Sequence, residues 1–327
     1  MSNEFVYKSP IAHHIMGFIE EKIALGYKYI TETRIMKRFD KYWYEHGYGE
    51  VGLTKENLSD WILKSDNESA AQLRNRVVVI RQFSKYLNSM SIHSYIPPLK
   101  IHCEKPIRHI LSKQEIEALF SEIDCHSLSG KGCTPFSKRM VDSYPILFRL
   151  LYLNGMRISE VCSLQVSEIN LNNGTITILN GKGNTDRLIY IANDMNELCK
   201  SYINHLHKTL GEMPKWLFPG RNAENHISIS AVEREFNRFW SRTIFAKNCN
   251  KKPTVHDLRH TYVVHRINYW LEQGLDFEHM LPYLSNFLGH NGFDSTFYYY
   301  HYVDDAARTI QRMDTITEKV IPEVMRR

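Results

Sequence analysis

The fold class follows from residues 169–191, which read INLNNGTITILNGKGNTDRLIYI. β-Branched residues recur in three short runs, at 169–171, 175–179 and 187–191. The sequences NNG and GKGN separate the runs, and such glycine-containing turns are typical of antiparallel strands joined tightly. This segment therefore predicts a small antiparallel sheet.

The sequence on both sides of this segment has helical spacing. Residues 141–153 are strongly apolar, Asn154 and Gly155 end that helix, and a short helix is expected at 158–164. Further upstream, Ser112 and Glu115 form a capping-box pattern that predicts a helix to about residue 123, with a loop following it to about 138. After residue 193 the pattern is again mostly helical.

A second helical region precedes a proline-rich stretch at 95–110. Its four expected helices span 11–25, 31–46, 54–63 and 70–87. We predict a helical domain at 1–96, a linker at 97–110 and a second domain at 111–327. The expected fold class is mainly α with a small antiparallel β-sheet (α+β).

Composition sets few limits on function. The chain has 327 residues, 43% of them hydrophobic and 24% charged, as in an ordinary globular protein. A formal charge of +5 permits nucleic-acid binding without requiring it. The six cysteines form no C-x-x-C pair, so we expect reduced thiols in a cytoplasmic protein. No stretch predicts a transmembrane helix or a signal peptide.

Arg157 and Lys182 are the first candidate site residues. Arg157 follows a helix break and opens the next helix, where an arginine can grip a phosphate with two N–H groups. Lys182 lies between Gly181 and Gly183 at the expected hairpin tip, where a ligand can approach the backbone closely. Taken alone, each is explained better as a solvated side chain after a turn.

The segment from Thr254 to Thr261 contains His256, Arg259 and His260 on one helical face. An imidazole and a guanidinium together can bind and polarise a phosphate. The spacing of the two histidines also permits zinc binding, but the glutamate of a zinc-protease motif is missing and an arginine beside a cation is unfavourable.

The last candidates are His290, in Leu288-Gly289-His290, and the tyrosines at 298, 299, 300 and 302. Taken alone, the tyrosines are best explained as a packed aromatic helix face.

Together and in this order, the motifs resemble those of the tyrosine recombinase family, which includes phage integrases and Xer-type recombinases. The matching residues are Gly155-Met-Arg157-Ile-Ser-Glu160, Gly181-Lys182-Gly183, His256-Asp-Leu-Arg259-His260, Leu288-Gly289-His290 and Tyr299-Tyr-His301. The resemblance covers about residues 105 to 310. The first hundred residues match only in kind, as a helical core-binding domain.

The resemblance implies a catalytic role for each matching residue. Arg157 and Arg259 would hold the non-bridging oxygens of the scissile phosphate, and Tyr299 would attack phosphorus to give a 3′-phosphotyrosine. Lys182 would protonate the leaving 5′-oxygen. The remaining assignments are His256 as general base, His290 as a phosphate hydrogen-bond donor, and Glu160 and His260 as supporting residues. No metal, cofactor or ATP is implied, because two guanidiniums can replace the metal.

Two features depart from the family pattern or leave it ambiguous. The hairpin of the family often carries a second lysine, where this chain has Thr185. The general acid is therefore placed on Lys182. Among the tyrosines, Tyr299 fits the family spacing to His290 and His301 best, Tyr300 is the second choice and Tyr298 the third.

The expected partner is double-stranded DNA at a specific recombination site, enclosed by the two domains, with a tetramer assembling on it. Candidate DNA contacts in the first domain are Arg74, Arg76, Arg81 and Lys85, although a solvated face explains any one of them. An amphipathic tail at about 304–327 is expected to dock on a neighbouring protomer. No membrane partner is expected.

We expect a site-specific recombinase or integrase of a bacterial mobile element or phage. The alternatives are Xer-type resolution of chromosome dimers, a type IB-like topoisomerase, and an inactive DNA-binding relative. The sixteen histidines also suggest a metal-dependent nuclease, but no paired carboxylates accompany them.

Overall fold

A computed structural model of the protein describes residues 5–103, 108–128, 134–179, 181, 186–289 and 299. The chain divides into two compact units, Met1–Pro106 and Ile107–Arg327. The predicted fold class is confirmed, since both units are helical and the second carries a small antiparallel sheet. No helix in the described ranges is both long and apolar enough to span a membrane.

The first unit is built from helices around an aromatic core. Its helices are α1 (Ala12–Ala24), α2 (Ile30–Glu45), α3 (Ser59–Ile62) and α4 (Ala70–Ser89). Phe18, Phe39, Trp43 and Phe83 are fully buried where α1, α2 and α4 meet. Burial of such large rings is the main stabilising contribution to a small helical domain.

The third helix is shorter than the sequence predicts. Thr54 and Asn57 do cap each other's backbone N–H groups, at 2.8 and 3.2 Å, but they close a turn rather than open a helix. The helix begins only at Ser59. A reciprocal side-chain cap satisfies the same N–H groups in a turn and at a helix start, so the Thr54–Asn57 pattern does not distinguish a turn from a helix.

The second unit contains seven helices within the described residues. They are α5 (Lys113–Leu128), α6 (Pro135–Leu153), α7 (Ile158–Cys162), α8 (Asn193–Leu210), α9 (Ile229–Trp240), α10 (Val255–Glu272) and α11 (Phe277–Leu288). The predicted capping box of α5 is present, with Ser112 and Glu115 bonded reciprocally at 2.8 and 3.2 Å. Helix α6 begins at Pro135, three residues before the predicted end of the loop, because Thr134 caps it.

The sheet has the order β1–β2–β3 and is antiparallel throughout. Its strands are β1 (Ile169–Asn170), β2 (Thr175–Ile178) and β3 (Arg187–Tyr190). In β3 only alternate residues point toward the core, so Arg187 lies on the same face as the fully buried Ile189. Arg187 pairs with Ile178 at the end of the β2–β3 ladder where the chain connects the two strands.

Two apolar clusters meet along α10. Leu258 belongs to the larger cluster, which is centred on α6, whereas Val263 and Ile267 belong to a smaller cluster with α11 and Tyr299. Residues of α10 belong to both clusters, and Arg259 and His260 lie between Leu258 and Val263 in the helix. The smaller cluster packs the middle of α10 against α11.

Candidate active site

The loop after α6 requires glycine at position 155. Gly155 has φ of +54°, and a Cβ there would lie 2.5 Å from Cδ1 of Tyr262 and 3.1 Å from Cδ2 of Leu288. Both the backbone conformation and the space exclude other side chains. The tight turn brings the next residues, and with them Arg157, against α10 and α11.

Arg157 is the N-cap of α7 and is held at several points. Its Nη1 donates to Glu160 Oε1 at 2.8 Å, and its Nη2 donates to the carbonyl of Gly289 at 2.6 Å. Its backbone N–H donates to Glu160 Oε2 at 2.8 Å. The guanidinium therefore has a fixed orientation at the C-terminal end of α11.

Glu160 also binds a second arginine, Arg187. Nη1 and Nη2 of Arg187 donate to the two carboxylate oxygens at 2.9 and 2.7 Å. Burial alone would raise the pKa of Glu160, but the hydrogen bonds and charge of Arg187, with hydrogen bonds from Arg157, lower that pKa to about 2. The carboxylate is therefore ionised at neutral pH.

Arg259, on α10, is almost completely buried, with 2% of its surface exposed. Its Nη1 donates to the carbonyl of Gly155 at 2.6 Å, and its Nη2 donates to the carbonyl of Leu288 at 2.8 Å. Burial, followed by the charge of Arg157, lowers its pKa to about 10, so it remains charged at neutral pH. Two like charges are thus held close together, as in a site that receives an anion.

The two histidines of α10 lie edge to face, with ring centroids 4.6 Å apart. His260 is buried, whereas the side chain of His256 keeps contact with solvent. Desolvation on its protein side, followed by the charges of Arg259 and Arg108, lowers the pKa of His256. Its imidazole is therefore neutral at physiological pH and able to accept a proton.

Tyr299 is buried beside His260, with 4% of its surface exposed. Its hydroxyl is 2.8 Å from Nδ1 of His260, a contact in which the tautomer decides the donor. Burial raises the pKa of Tyr299, opposed by the charges of Arg259, Arg108 and Arg157. Sequence reasoning gave His260 only a supporting role, whereas the structure places it in direct contact with the tyrosine.

The structure thus brings together Arg157, Glu160, His256, Arg259, His260 and Tyr299, which were predicted from three separate segments. Lys182 and His290 lie outside the described residues, as do Tyr298, Tyr300 and the tail at 304–327.

Arg187, which begins the third β-branched run, is the site residue that sequence reasoning missed. The available signal was strand alternation, since an arginine two positions before the inward-facing Ile189 must itself face inward. A charged side chain facing inward needs a buried partner.

The four predicted DNA contacts on α4 do not share one face. Arg74 and Lys85 are exposed, and Arg81 is half-buried and donates to the carbonyl of Pro97. Arg76 points into the unit and is only 5% exposed. It forms an ion pair with Glu68 and donates to the carbonyls of Trp61 and Leu63. The expectation for Arg76 is corrected, because its guanidinium is used by the fold of its own unit.

Metal binding has no support in the geometry of the part of the chain that is described. No group of three or more His, Cys, Asp or Glu side chains there could hold a metal ion. The two histidines that suggested zinc face each other edge to face rather than converging with a third ligand.

Comparison with known proteins gives a consistent family. The Phage integrase family model matches residues 109–305. Tyrosine recombinase XerD of Halalkalibacterium halodurans is 28% identical over 268 residues, covering 79% of this chain and 80% of that protein. Tyrosine recombinase XerC of Chlamydia caviae is 24% identical over 253 residues, covering 76% of this chain and 73% of that protein.

Solved structures share the fold. XerH site-specific recombinase, bound to a palindromic difH substrate, matches with a TM-score of 0.61 and 18% identity over 97% of this chain and 91% of that one. The Tn1549 transposon integrase, in complex with transposon right end DNA, matches with a TM-score of 0.62 and 16% identity over 92% and 99%. Since the family model spans more than half of the chain, this protein belongs to the phage integrase family and is a tyrosine recombinase, an enzyme that cleaves and rejoins DNA.

Proposed function

We propose that the protein is a site-specific recombinase that cleaves and rejoins DNA through a 3′-phosphotyrosine at Tyr299, without metal or ATP. The observation that carries this proposal is the placement of the Tyr299 hydroxyl 2.8 Å from His260 and near the charges of Arg157 and Arg259. A nucleophile, a proton acceptor and two fixed cations are the groups that phosphoryl transfer to tyrosine requires.

Arg157 and Arg259 would bind the non-bridging oxygens of the scissile phosphate. Carbonyl groups of Gly155, Leu288 and Gly289 hold the two guanidiniums in place before DNA arrives. Little reorganisation is then needed when negative charge builds up in the pentacoordinate transition state. Glu160 keeps Arg157 in this orientation, and His290 would add a hydrogen bond to the phosphate.

The proton of Tyr299 must leave as its oxygen attacks phosphorus. Because burial raises the pKa of Tyr299, the phenol is protonated at neutral pH and needs a base. His260 contacts the hydroxyl, and His256, whose lowered pKa keeps it neutral, lies against His260. We assign proton removal to this histidine pair.

The leaving group is the 5′-oxygen of the cleaved strand, which Lys182 would protonate. One P–O bond to tyrosine forms while one P–O bond to the 5′-oxygen breaks, so the phosphodiester energy is conserved. Attack by a 5′-hydroxyl from a second DNA molecule reverses the step and completes strand exchange, so no ATP is required.

A suicide DNA substrate carrying the natural site tests the chemistry, in parallel reactions with and without EDTA. Wild type should give a covalent adduct on a denaturing gel. Tyr299→Phe should give no adduct, because it lacks the attacking oxygen. Tyr300→Phe should still form the adduct.

Loss of the adduct in Tyr300→Phe alone would move the nucleophile by one residue. If wild type binds the site but forms no adduct, the protein is an inactive DNA-binding relative. An adduct that forms only without EDTA would contradict metal independence.

We propose that the first unit acts as a core-binding domain that contacts duplex DNA. Arg74, Arg81 and Lys85 follow one side of α4, at positions separated by seven and eleven residues from Arg74, and are the proposed phosphate contacts. We further propose that the enzyme acts as a tetramer in the bacterial cytoplasm, where it moves a mobile element or phage. Chromosome dimer resolution is the alternative, and a requirement for a chromosomal site instead of element ends would favour it.

A further inference from the structure

Arg187, the first residue of β3, connects three elements of the active site. Its two terminal nitrogens bind the Glu160 carboxylate of α7 at 2.9 and 2.7 Å, and its Nε donates to the carbonyl of Phe287 in α11 at 2.9 Å. A guanidinium satisfies this geometry because its N–H groups form a planar fork. The side chain therefore ties the sheet to both α7 and the end of α11.

The surroundings of Arg187 are closely fitted. Only 7% of the side-chain surface of either Arg187 or Glu160 is exposed. Gly289 packs against the guanidinium so closely that a Cβ there would lie 3.0 Å from Nη1 of Arg187. A buried ion pair in this setting is costly to break, because the remaining partner keeps an uncompensated charge.

The carboxylate bound by Arg187 is the one that orients Arg157. Glu160 Oε1 accepts from Arg187 and from Arg157, at 2.9 and 2.8 Å. The two arginines also bind carbonyl groups at the C-terminal end of α11, Arg187 that of Phe287 and Arg157 that of Gly289. Arg187 and Arg157 thus share the Glu160 carboxylate, and their carbonyl partners lie two residues apart.

We propose that Arg187 is a positioning residue for strand cleavage, fixing Glu160 and the C-terminal end of α11 and through them the orientation of Arg157 on the scissile phosphate. The proposal rests on the proposed function above. Without Arg187, Glu160 is bound by Arg157 alone, which then neutralises a buried carboxylate instead of being presented to DNA.

The matched control is Arg149, in the same unit. Its two terminal nitrogens bind the carboxylate of Asp124 at 2.9 and 2.7 Å, the same distances as in the Arg187 pair, but this pair joins α6 to α5. Arg187→Ala and Arg149→Ala thus each remove one bidentate ion pair. Only the first touches the proposed phosphate-binding group.

The experiment measures single-turnover adduct formation on the suicide substrate from pH 5 to pH 9, together with the Kd for the same DNA. We expect Arg187→Ala to cleave roughly 10–100-fold more slowly with little change in Kd, as supporting residues around a reactive centre typically do. Arg187→Lys should recover part of the rate, because lysine keeps the charge but not the fork. Arg149→Ala should cleave at close to the wild-type rate.

The pH profile gives a readout that a purely structural role would not change. Arg187 is the main group that lowers the pKa of Glu160 against its burial, so its removal raises that pKa. As pH falls, Glu160 then takes up a proton in the variant before it does in wild type, and Arg157 loses its fixed partner. Arg187→Ala should therefore lose more rate than wild type on the acidic side, in addition to the loss that protonation of the histidine pair causes in both proteins.

A substrate with a 5′-bridging sulfur distinguishes a role of Arg187 in positioning Arg157 from a role in protonating the leaving group. Its thiolate leaves without protonation, so it should restore cleavage to a Lys182→Ala variant but not to Arg187→Ala. Restoration of Arg187→Ala to the wild-type rate would overturn the proposal, since Arg187 would then serve the leaving group.

Equal cleavage rates and pH profiles for Arg187→Ala and wild type would also overturn it. Absence of an adduct from wild type itself would instead contradict the proposed function. Circular dichroism checks the folding of each variant, and if Arg187→Ala does not fold, Arg187→Lys takes its place. A folded lysine variant with wild-type rate and pH profile would refute the role.

Discussion

At the scale of single residues, Gly155 links the fold to the chemistry. Its positive φ turns the chain sharply after α6, its carbonyl binds Arg259, and its missing side chain leaves room for Tyr262. Gly155 therefore both ends α6 and supports the active site. Sequence reasoning identified the break and Arg157 after it, but the contacts with Arg259 and Tyr262 depend on residues about a hundred positions away.

Gly155→Ala should lower the free energy of unfolding by more than the backbone cost alone. A left-handed conformation costs a non-glycine residue about 1–2 kcal/mol, and forcing a methyl group into packed space adds about 1–3 kcal/mol. Gly274→Ala is the control, because Gly274 has φ of +70° but nothing within 4 Å of a Cβ. Urea unfolding of both variants measures the difference, and equal losses would show that Tyr262 moves aside without cost.

The contact between His260 and Tyr299 also belongs to this scale. The sequence places both residues in recognisable motifs, but their separation of 39 positions says nothing about which histidine of α10 reaches the hydroxyl. Only the packing of α10 against the smaller apolar cluster decides that His260 faces the tyrosine while His256 reaches solvent.

At the scale of secondary structure elements, the charged residues of α4 lie on different faces of the helix, so Arg76 is buried whereas Arg74 and Lys85 are exposed. Successive residues are rotated by about 100°, so position 76 lies on the opposite side from 74, while 81 and 85 return to the side of 74. The apolar positions 73, 77, 80 and 87 are buried beside Arg76. The helical period therefore contained the signal that Arg76 is not on the DNA-facing side proposed for Arg74 and Lys85.

Arg76→Ala should destabilise the first unit by about 3–5 kcal/mol, because Glu68 would keep an uncompensated charge in a largely buried place. Arg74→Ala, on the exposed side of the same helix, should change stability by less than about 0.5 kcal/mol. It should instead weaken DNA binding and reduce the dependence of the Kd on salt.

Thermal unfolding and anisotropy titrations at several salt concentrations measure the two effects. A stable Arg76→Ala variant with selectively weakened DNA binding would restore the original expectation for Arg76. An Arg74→Ala variant with unchanged affinity and salt dependence would exclude Arg74 from the proposed contacts.

At the scale of the whole molecule, the chain has two compact units that differ in what they contain. The second holds the candidate active site and two apolar clusters, and the first holds an aromatic core with a basic side on α4. The proposed strand exchange would join two DNA duplexes within a tetramer, so we expect assembly to involve surfaces beyond the site itself.

Deletion of the residues after about 308 should leave DNA binding intact but lower recombination, because the amphipathic tail is proposed to dock on a neighbouring protomer. Binding to a single site and recombination between two sites are measured separately, with sedimentation to follow assembly. Cleavage of the suicide substrate by the truncated protein serves as the control for an intact site. Unchanged recombination would contradict the role of the tail.

The sequence by itself determined the fold class, most helices, the antiparallel strands and the segments that carry the site. These depend on local periodicity, on capping residues such as Ser112, and on turn residues, whose physical preferences act over a few positions. Tertiary structure alone decided that Arg76 pairs with Glu68, that Thr54 closes a turn, that His260 contacts Tyr299, and that Arg187 binds Glu160. Each of these depends on which distant surfaces pack together, because the cost of burying a charge or a hydroxyl is set by the partner it meets there and not by its neighbours in sequence.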